Sequence, residues 1–190
     1  MAKIESNFKN MVLTLLIICG VAALALGAIY NLTKKPIEKS KLLKQELAIK
    51  NVVPEFEIIK TFKYKPDDGE DSLIINNTYK NSNYVGTAIE TYTDKGFGGR
   101  VKLMVGFLPN GCIYNIEVLE LKETPGLGTK MTEEKFKGQF KNKNPKNFKL
   151  IVKKDNGDVD AITAATISSR AFCDAVQRAY NAFVKFGGNE

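Results

Sequence analysis

The sequence contains no histidine, no tryptophan and only three cysteines among its 190 residues. Without histidine it lacks the commonest general base and a common metal ligand. Cys19, Cys112 and Cys173 form no C-x-x-C pair, so neither a metal site nor a disulfide framework is indicated. Cys19 lies in an apolar run, so only the other two could pair with each other. We interpret all three as core or membrane residues.

Long runs of one charge are also missing, although the net charge is +7. Basic residues never run longer than Lys34-Lys35 or Lys153-Lys154, and acidic residues lie between them. A nucleic-acid-binding protein is expected to show a basic stripe. We therefore interpret the lysines as solvated faces and predict no nucleic-acid partner.

What the sequence does contain is one long uncharged stretch, Met11–Leu32. At 1.5 Å per residue a helix of this length covers about 30 Å, the thickness of a bilayer core. A cleaved secretory signal is the alternative, but its apolar part is about 7–15 residues and ends at an A-x-A-like site, which is missing here. Bulky Ile18 before Cys19 argues against a lipoprotein anchor. We predict an uncleaved single-pass anchor over 11–32, preceded by a cytoplasmic segment, 1–10.

The remaining length suits one domain of ordinary size with its own core. After Pro36 a loosely helical apolar face predicts a helical neck over 33–54, leading to a domain over 55–190. The turn-rich, acidic stretch 63–72 is interpreted as a surface loop.

Alternation and turn residues predict three antiparallel strands in the first half of this domain. They are YVGTAIETY from Tyr84, VKLMVGFL at 101–108 after a loop at 94–99, and CIYNIEVLEL from Cys112. FKLIV at 148–152 is expected to return to the sheet.

Two helices are expected to pack on that sheet. Thr132 can cap a short helix that carries Phe136 and Phe140. The final helix is expected to begin near Thr163, and its apolar positions recur at three- and four-residue spacing. The fold class is α+β, an antiparallel sheet packed with helices.

ETPGLG at 123–128 combines a hydroxyl group, a proline and two glycines directly after a strand. Such a loop lets a flat ligand approach the backbone closely. A tight turn between a strand and a helix accounts for the same residues.

DAITAATISS at 160–169 places hydroxyl residues at the start of the final helix. With Thr163 as N-cap, Thr166 is the third helical residue, near unpaired N–H groups and the positive end of the helix dipole. A phosphate is favoured at that position, and the Thr166 hydroxyl could carry a phosphoester. An ordinary capped helix remains the alternative.

These two segments, with GFGGRVKLMVGF before them and the N-terminal anchor, resemble the G subunit of the Rnf electron-transport complex over essentially the whole chain. The related C subunit of the sodium-translocating NADH:quinone reductase shares the pattern. The resemblance implies FMN joined by a phosphoester to the last threonine of an S/T-G-A-T motif, which is Thr166 here. It implies that Asp160 is the acid in the signature read by a flavin transferase.

By the same motif matching, further residues are expected to contact the cofactor. Thr163 and Ser168 are assigned to the phosphate, and the other contacts come from the ETPGLG loop. They are Glu123, Thr124, Gly126, Leu127 and Gly128. No metal ligand is predicted.

Two positions depart from the pattern. Ala164 replaces the usual glycine, and we expect flavinylation to survive because alanine is small and suits a helix. Leu121 stands where many relatives have histidine, so a proton-handling role for that histidine cannot apply.

The resemblance implies an electron carrier rather than an enzyme acting alone. It would relay electrons through FMN among other membrane and peripheral subunits while sodium ions or protons cross the bacterial inner membrane. It also implies a flavin domain on the extracytoplasmic side, although the lysines after the span favour the cytoplasm. The quinone-reductase C subunit and a non-redox membrane-anchored binding module remain alternatives.

Overall fold

The computed structural model describes residues 7–66 and 71–187. Contacts divide the chain into two units, Met1–Leu43 and Lys44–Glu190. The first unit contains helix α1 as far as Leu43, and the whole helix, Phe8–Val52, is 45 residues long and continues through Pro36. The run 11–32 lies wholly within α1, and its side chains are exposed. By its length and composition, α1 is long and apolar enough to cross a membrane. The boundaries proposed at 32/33 and 54/55 stay predictions.

The second unit is built on one antiparallel sheet of five strands. Each strand pairs with the next along the chain, in the order β1-β2-β3-β4-β5. The strands are β1 Ile58–Tyr64, β2 Leu73–Lys80, β3 Asn83–Gly96, β4 Gly99–Phe107 and β5 Ile113–Glu120. The three predicted strands are confirmed as β3, β4 and β5, and the antiparallel α+β architecture is confirmed with them.

Two strands and one loop differ from expectation. Neither β1 nor β2 was predicted from the sequence. Strand β2 was not predicted because it carries Asn76 and Asn77, and asparagine is depleted in strands. Both asparagines are buried, and the Asn76 side chain is satisfied by the Ala88 carbonyl and the Thr61 hydroxyl at 3.2 and 2.7 Å. The loop expected at 63–72 begins later because β1 continues to Tyr64, and its positions 67–70 lie outside the described residues.

Helix α3, Thr166–Phe186, packs its apolar face on the sheet as predicted. Its inward positions include several alanines, so helix and sheet approach closely. The Thr91 hydroxyl of β3 donates a hydrogen bond to the carbonyl of Ala175 in the middle of α3, at 3.0 Å. The Phe183 ring stacks on Phe107 of β4 at 4.8 Å between centroids.

Short helices cover the rest of the core. Helix α2 is Glu134–Lys137, and 3₁₀ turns occupy Gly128–Thr132, Gly138–Phe140 and Lys153–Asp155. The expected Thr132 cap is wrong, because the Thr132 hydroxyl donates instead to Thr129 O at 2.9 Å within the preceding 3₁₀ turn. The return of 148–152 to the sheet is also wrong, since Val152 bridges only Val159.

The interpretation of the cysteines as core residues is confirmed for Cys173, whereas Cys112 is only half-buried. All three cysteines are free, and Cys173 is buried in α3. Burial raises the pKa of the Cys173 thiol to about 12, which leaves it an unreactive core residue.

The second face of the sheet is covered by the C-terminal turns of α1, which belong to the same unit. Ala48 and Val52 pack with Ala88 of β3 and Met104 of β4. The approach depends on Gly106, because a Cβ atom there would lie 1.5 Å from the carbonyl oxygen of Val52.

We expect Gly106→Ala to lower the free energy of unfolding by about 2–3 kcal/mol, because the backbone of α1 or β4 must move to admit the methyl group. Gly138→Ala is the matched control. Gly138 has φ −62°, and an added Cβ meets mainly the flexible Glu134 side chain. Thermal unfolding of the full chain in detergent measures both, and equal losses in the two variants would contradict the packing argument.

Candidate functional site

A cleft of about 350 Å³ lies between the ETPGLG loop and the start of α3. The strand β5 delivers the loop directly, and α3 presents its first turn to the same space. The two segments singled out in the sequence therefore meet. The lining residues are Phe97, Glu123, Thr124, Leu127, Gly128, Ala164, Ala165, Thr166, Ile167 and Ser168.

Thr166 is the first residue of α3, and its side chain is half-buried in this cleft. Within the described residues no hydrogen-bond partner engages its hydroxyl group. The backbone N–H of Ser169 is the first to bond back, to Ala165 O at 3.0 Å, so the N–H groups of Thr166, Ile167 and Ser168 precede the helical ladder. The first turn of α3 thus has three N–H groups outside the helical ladder, at the positive end of the helix dipole, and its first residue has a hydroxyl group that can carry a phosphoester.

The predicted helix start at Thr163 is wrong. Ala164 has φ +61°, a left-handed conformation that interrupts the helix, and Thr163 is exposed outside it. The loop is held instead by Ser169, whose hydroxyl accepts from Ile162 N at 2.9 Å and donates to Ala165 O at 3.0 Å. The expectation that Ala164 suits a helix is overturned with it, and a left-handed position favours glycine.

Glu123 is buried beneath the cleft with only 6% of its surface exposed. Its Oε2 accepts a hydrogen bond of 2.8 Å from the hydroxyl of Ser168, which is itself buried. Its Oε1 accepts a longer one, 3.4 Å, from the N–H of Gly98. A buried carboxylate needs such donors, so the Ser168 hydroxyl proton is directed to Glu123 rather than into the cleft.

The remaining predicted residues divide between this cleft and its surroundings. Thr124, Leu127 and Gly128 line it together with Thr166. Gly126 has φ +76° and donates its N–H to the Thr129 hydroxyl at 2.9 Å, which makes it a turn residue of the loop. Thr163 lines a neighbouring cavity of about 420 Å³ with Asp160. Contact of any of these residues with a bound cofactor stays a prediction.

Sequence reasoning missed two apolar residues of the cleft, Phe97 and Ile167. Phe97 occupies the turn between β3 and β4, which is only Phe97-Gly98 rather than the loop predicted at 94–99. A lone aromatic residue among glycines was the available signal. Ile167 gave none, because an apolar residue in an amphipathic helix suggests core.

The strands on either side of that turn are bridged by Arg100 and Asp94. The Arg100 guanidinium donates to both Asp94 oxygens, at 2.6 and 3.0 Å, and also to Asp71. The hydrogen bond from Arg100 holds the pKa of the Asp94 carboxyl below its usual range. The stability from this pair is therefore present above the ordinary aspartate pKa and is lost in acid, and an exposed pair contributes only about 0–1 kcal/mol.

We expect Ala164→Gly to raise the free energy of unfolding by about 1 kcal/mol, because glycine adopts φ +61° without the steric cost that alanine carries. Ala165→Gly is the control, since Ala165 is buried with φ −136° and loses packing instead. Thermal unfolding compares the two variants with the parent. A loss of stability in Ala164→Gly would contradict the left-handed assignment.

Comparison with known proteins matches the part of the chain that forms this cleft. Residues 96–181 match the FMN-binding domain, a range that contains every residue lining the cleft. The G subunit of the ion-translocating oxidoreductase complex of Methanosarcina acetivorans is 31% identical over 179 residues, covering 92% of this chain and 94% of that protein. The G subunit of the proton-translocating ferredoxin:NAD(+) oxidoreductase complex of Clostridium ljungdahlii is 28% identical, covering 96% and 92%.

A crystal structure of NqrC from Shewanella oneidensis is a more distant match, with a TM-score of 0.48 and 20% identity over 66% of this chain and 69% of that one. The assignment rests on the sequence relatives, which align with this chain from anchor to final helix at nearly full length. The chain belongs to the family of G subunits of ion-translocating oxidoreductase complexes.

Proposed function

We propose that this chain is the electron-carrying flavoprotein subunit of a membrane-bound, ion-translocating ferredoxin:NAD oxidoreductase, with FMN esterified through its phosphate to Thr166. The observation that carries the proposal is the position of Thr166. Its hydroxyl group lacks a hydrogen-bond partner among the described residues and lies at the first residue of α3, in the cleft shared with the ETPGLG loop.

The residues of the cleft fit such a group. The N–H groups of Thr166, Ile167 and Ser168 can hold the phosphate, and the helix dipole adds a favourable field. The ETPGLG loop gives the ring an apolar side chain, Leu127, and the hydroxyl group of Thr124. A bound FMN supplies the electron transfer, while these residues orient it and set its surroundings.

The tether and the ring have separate roles in this proposal. A phosphoester at Thr166 prevents dissociation but lies far from the isoalloxazine ring. The reduction potential is therefore set by non-covalent contacts in the cleft. Since the chain has no histidine, no imidazole of its own can accept or supply protons at the ring.

Three observations support a place in a larger complex. Two relatives that align over nearly their whole length are named as subunits of such complexes. Helix α1 can cross a membrane. The chain has a candidate cofactor cleft beside Thr166. We therefore propose other membrane and peripheral subunits as electron partners, and a flavin transferase that recognises the segment around exposed Asp160.

The competing function is a non-redox module that binds a partner through the same sheet. The C subunit of a sodium-translocating quinone reductase shares the flavin chemistry, but the high mutual coverage with G subunits favours the latter. A covalent flavin separates the redox functions from the non-redox one.

Coexpression with a flavin transferase is expected to give a band that fluoresces under ultraviolet light on a denaturing gel. Thr166→Val is expected to abolish the band, because valine keeps the shape and lacks the hydroxyl group. Thr163→Val is the matched control and should weaken the band at most, since Thr163 lies outside the cleft. A parent chain without a fluorescent band would refute the proposal.

We also propose that the flavin domain lies on the extracytoplasmic side, as the resemblance implies and against the lysines that follow the span. A reporter fused at Glu190 is expected to be active outside the cytoplasm. The same reporter fused before Met11 is the control and should report the cytoplasm. Activity of the Glu190 fusion in the cytoplasm alone would reverse the orientation.

A further inference from the structure

Three exposed apolar side chains surround the cleft that contains Thr166. Phe97 is 69% exposed, Ile167 48% and Leu127 39%, and each comes from a different segment. Phe97 belongs to the β3–β4 turn, Leu127 to the ETPGLG loop and Ile167 to α3. Apolar surface gathered from three separate segments at one cleft indicates that a ligand covers it.

Each of these side chains is followed in the sequence by a residue that contacts Glu123. Gly98 donates its N–H to the carboxylate at 3.4 Å, and the Ser168 hydroxyl donates at 2.8 Å. Gly128 lies so close that an added Cβ would be 2.5 Å from Glu123 Oε2. One buried carboxylate therefore contacts all three segments immediately beside their exposed apolar residues.

The Phe97 side chain is exposed, but the backbone of its turn packs against the rest of the domain. A Cβ atom on Gly98 would lie 1.7 Å from the carbonyl oxygen of Lys122, so the turn packs directly on the backbone that leads to Glu123. The Arg100–Asp94 pair bridges the strands beside it. Phe97 is thus presented by a fixed backbone, which reduces the entropy lost when a ring packs on it.

The position of Thr166 indicates which ligand covers these apolar side chains. A cofactor tethered at its hydroxyl group is confined to the neighbourhood of the cleft, and the exposed apolar side chains there are Phe97, Leu127 and Ile167. A flat aromatic ring system gains most by packing against such side chains.

We propose that Glu123 is a positioning residue that fixes Phe97, Leu127 and Ile167 around the isoalloxazine ring, with Phe97 as a direct ring contact. This inference rests on the proposed function and adds two roles to it. Glu123 acts through the backbone and Ser168 rather than by touching the flavin, and Phe97 shields the ring from solvent.

Phe97→Ala tests the ring contact in the full flavinylated chain in detergent. The covalent band on a denaturing gel is expected to stay unchanged, since Thr166 is intact. Iodide quenching of flavin fluorescence in the folded protein is expected to rise at least twofold, and fluorescence anisotropy to fall. Phe97→Tyr should restore both values. Val184→Ala, an exposed change elsewhere on α3, is the matched control and should change neither.

Glu123→Ala tests the positioning role. It removes the acceptor for Gly98 and Ser168, so quenching is expected to rise although Phe97, Leu127 and Ile167 are all present. Glu123→Gln removes the charge but keeps a carbonyl oxygen that can accept from the Ser168 hydroxyl, so it should keep most of the shielding. If the charge alone mattered, Glu123→Gln would lose the shielding as Glu123→Ala does. If Glu123→Ala fails to fold, Ser168→Ala removes one donor and is expected to change quenching in the same direction, by less.

The outcomes separate the two proposals. Unchanged quenching in Phe97→Ala with an intact covalent band overturns the ring contact and leaves the flavoprotein function standing. Raised quenching in Phe97→Ala with parent-like values in both Glu123→Ala and Ser168→Ala overturns the positioning role. Absence of the band from the parent chain overturns the proposed function and this inference with it.

Discussion

The buried carboxylate of Glu123 is the constraint on which the cleft depends. A polar group removed from water must find hydrogen-bond partners, and here the donors come from the β3–β4 turn and from α3. The chain around it is correspondingly bare of side chains, because Cβ atoms on Gly96 and Gly128 would lie within 2.7 Å of its oxygens. The Glu123 carboxylate therefore contacts the β3–β4 turn, the ETPGLG loop and the first turn of α3. The relative positions of these three segments depend on the position of this carboxylate.

The packing of α3 on the sheet fixes the positions of the segments around Glu123. Alanines on the inner face of α3 bring the helix close enough for the Thr91 hydroxyl to reach a helical carbonyl group. Once α3 is fixed along its length, its first turn is fixed too. The position of Thr166 therefore depends on packing further along the helix, at Ala175, as well as on its own loop.

Several elements could be predicted because their patterns are local. Alternation predicted β3, β4 and β5, and the spacing of Phe172, Ala175 and Ala179 predicted the buried face of α3. The meeting of the ETPGLG loop with Thr166 followed from the family resemblance. The start of α3 could not be predicted, since Ala164 adopts a left-handed conformation that alanine rarely takes. Strand β2 was missed because its asparagines are satisfied only by tertiary contacts, and Phe97 because an exposed aromatic residue has no periodic pattern.

The covered second face of the sheet bears on how the domain can be isolated from its anchor. Ala88 and Met104 are buried by Ala48 and Val52, which lie before the domain boundary that the sequence indicated at 54/55. A water-soluble fragment cut at that boundary would leave these two side chains bare and would be prone to self-association. A fragment that begins at Lys44 retains the covering turns of α1, so it is the better starting point for crystallisation or potentiometry of the domain alone.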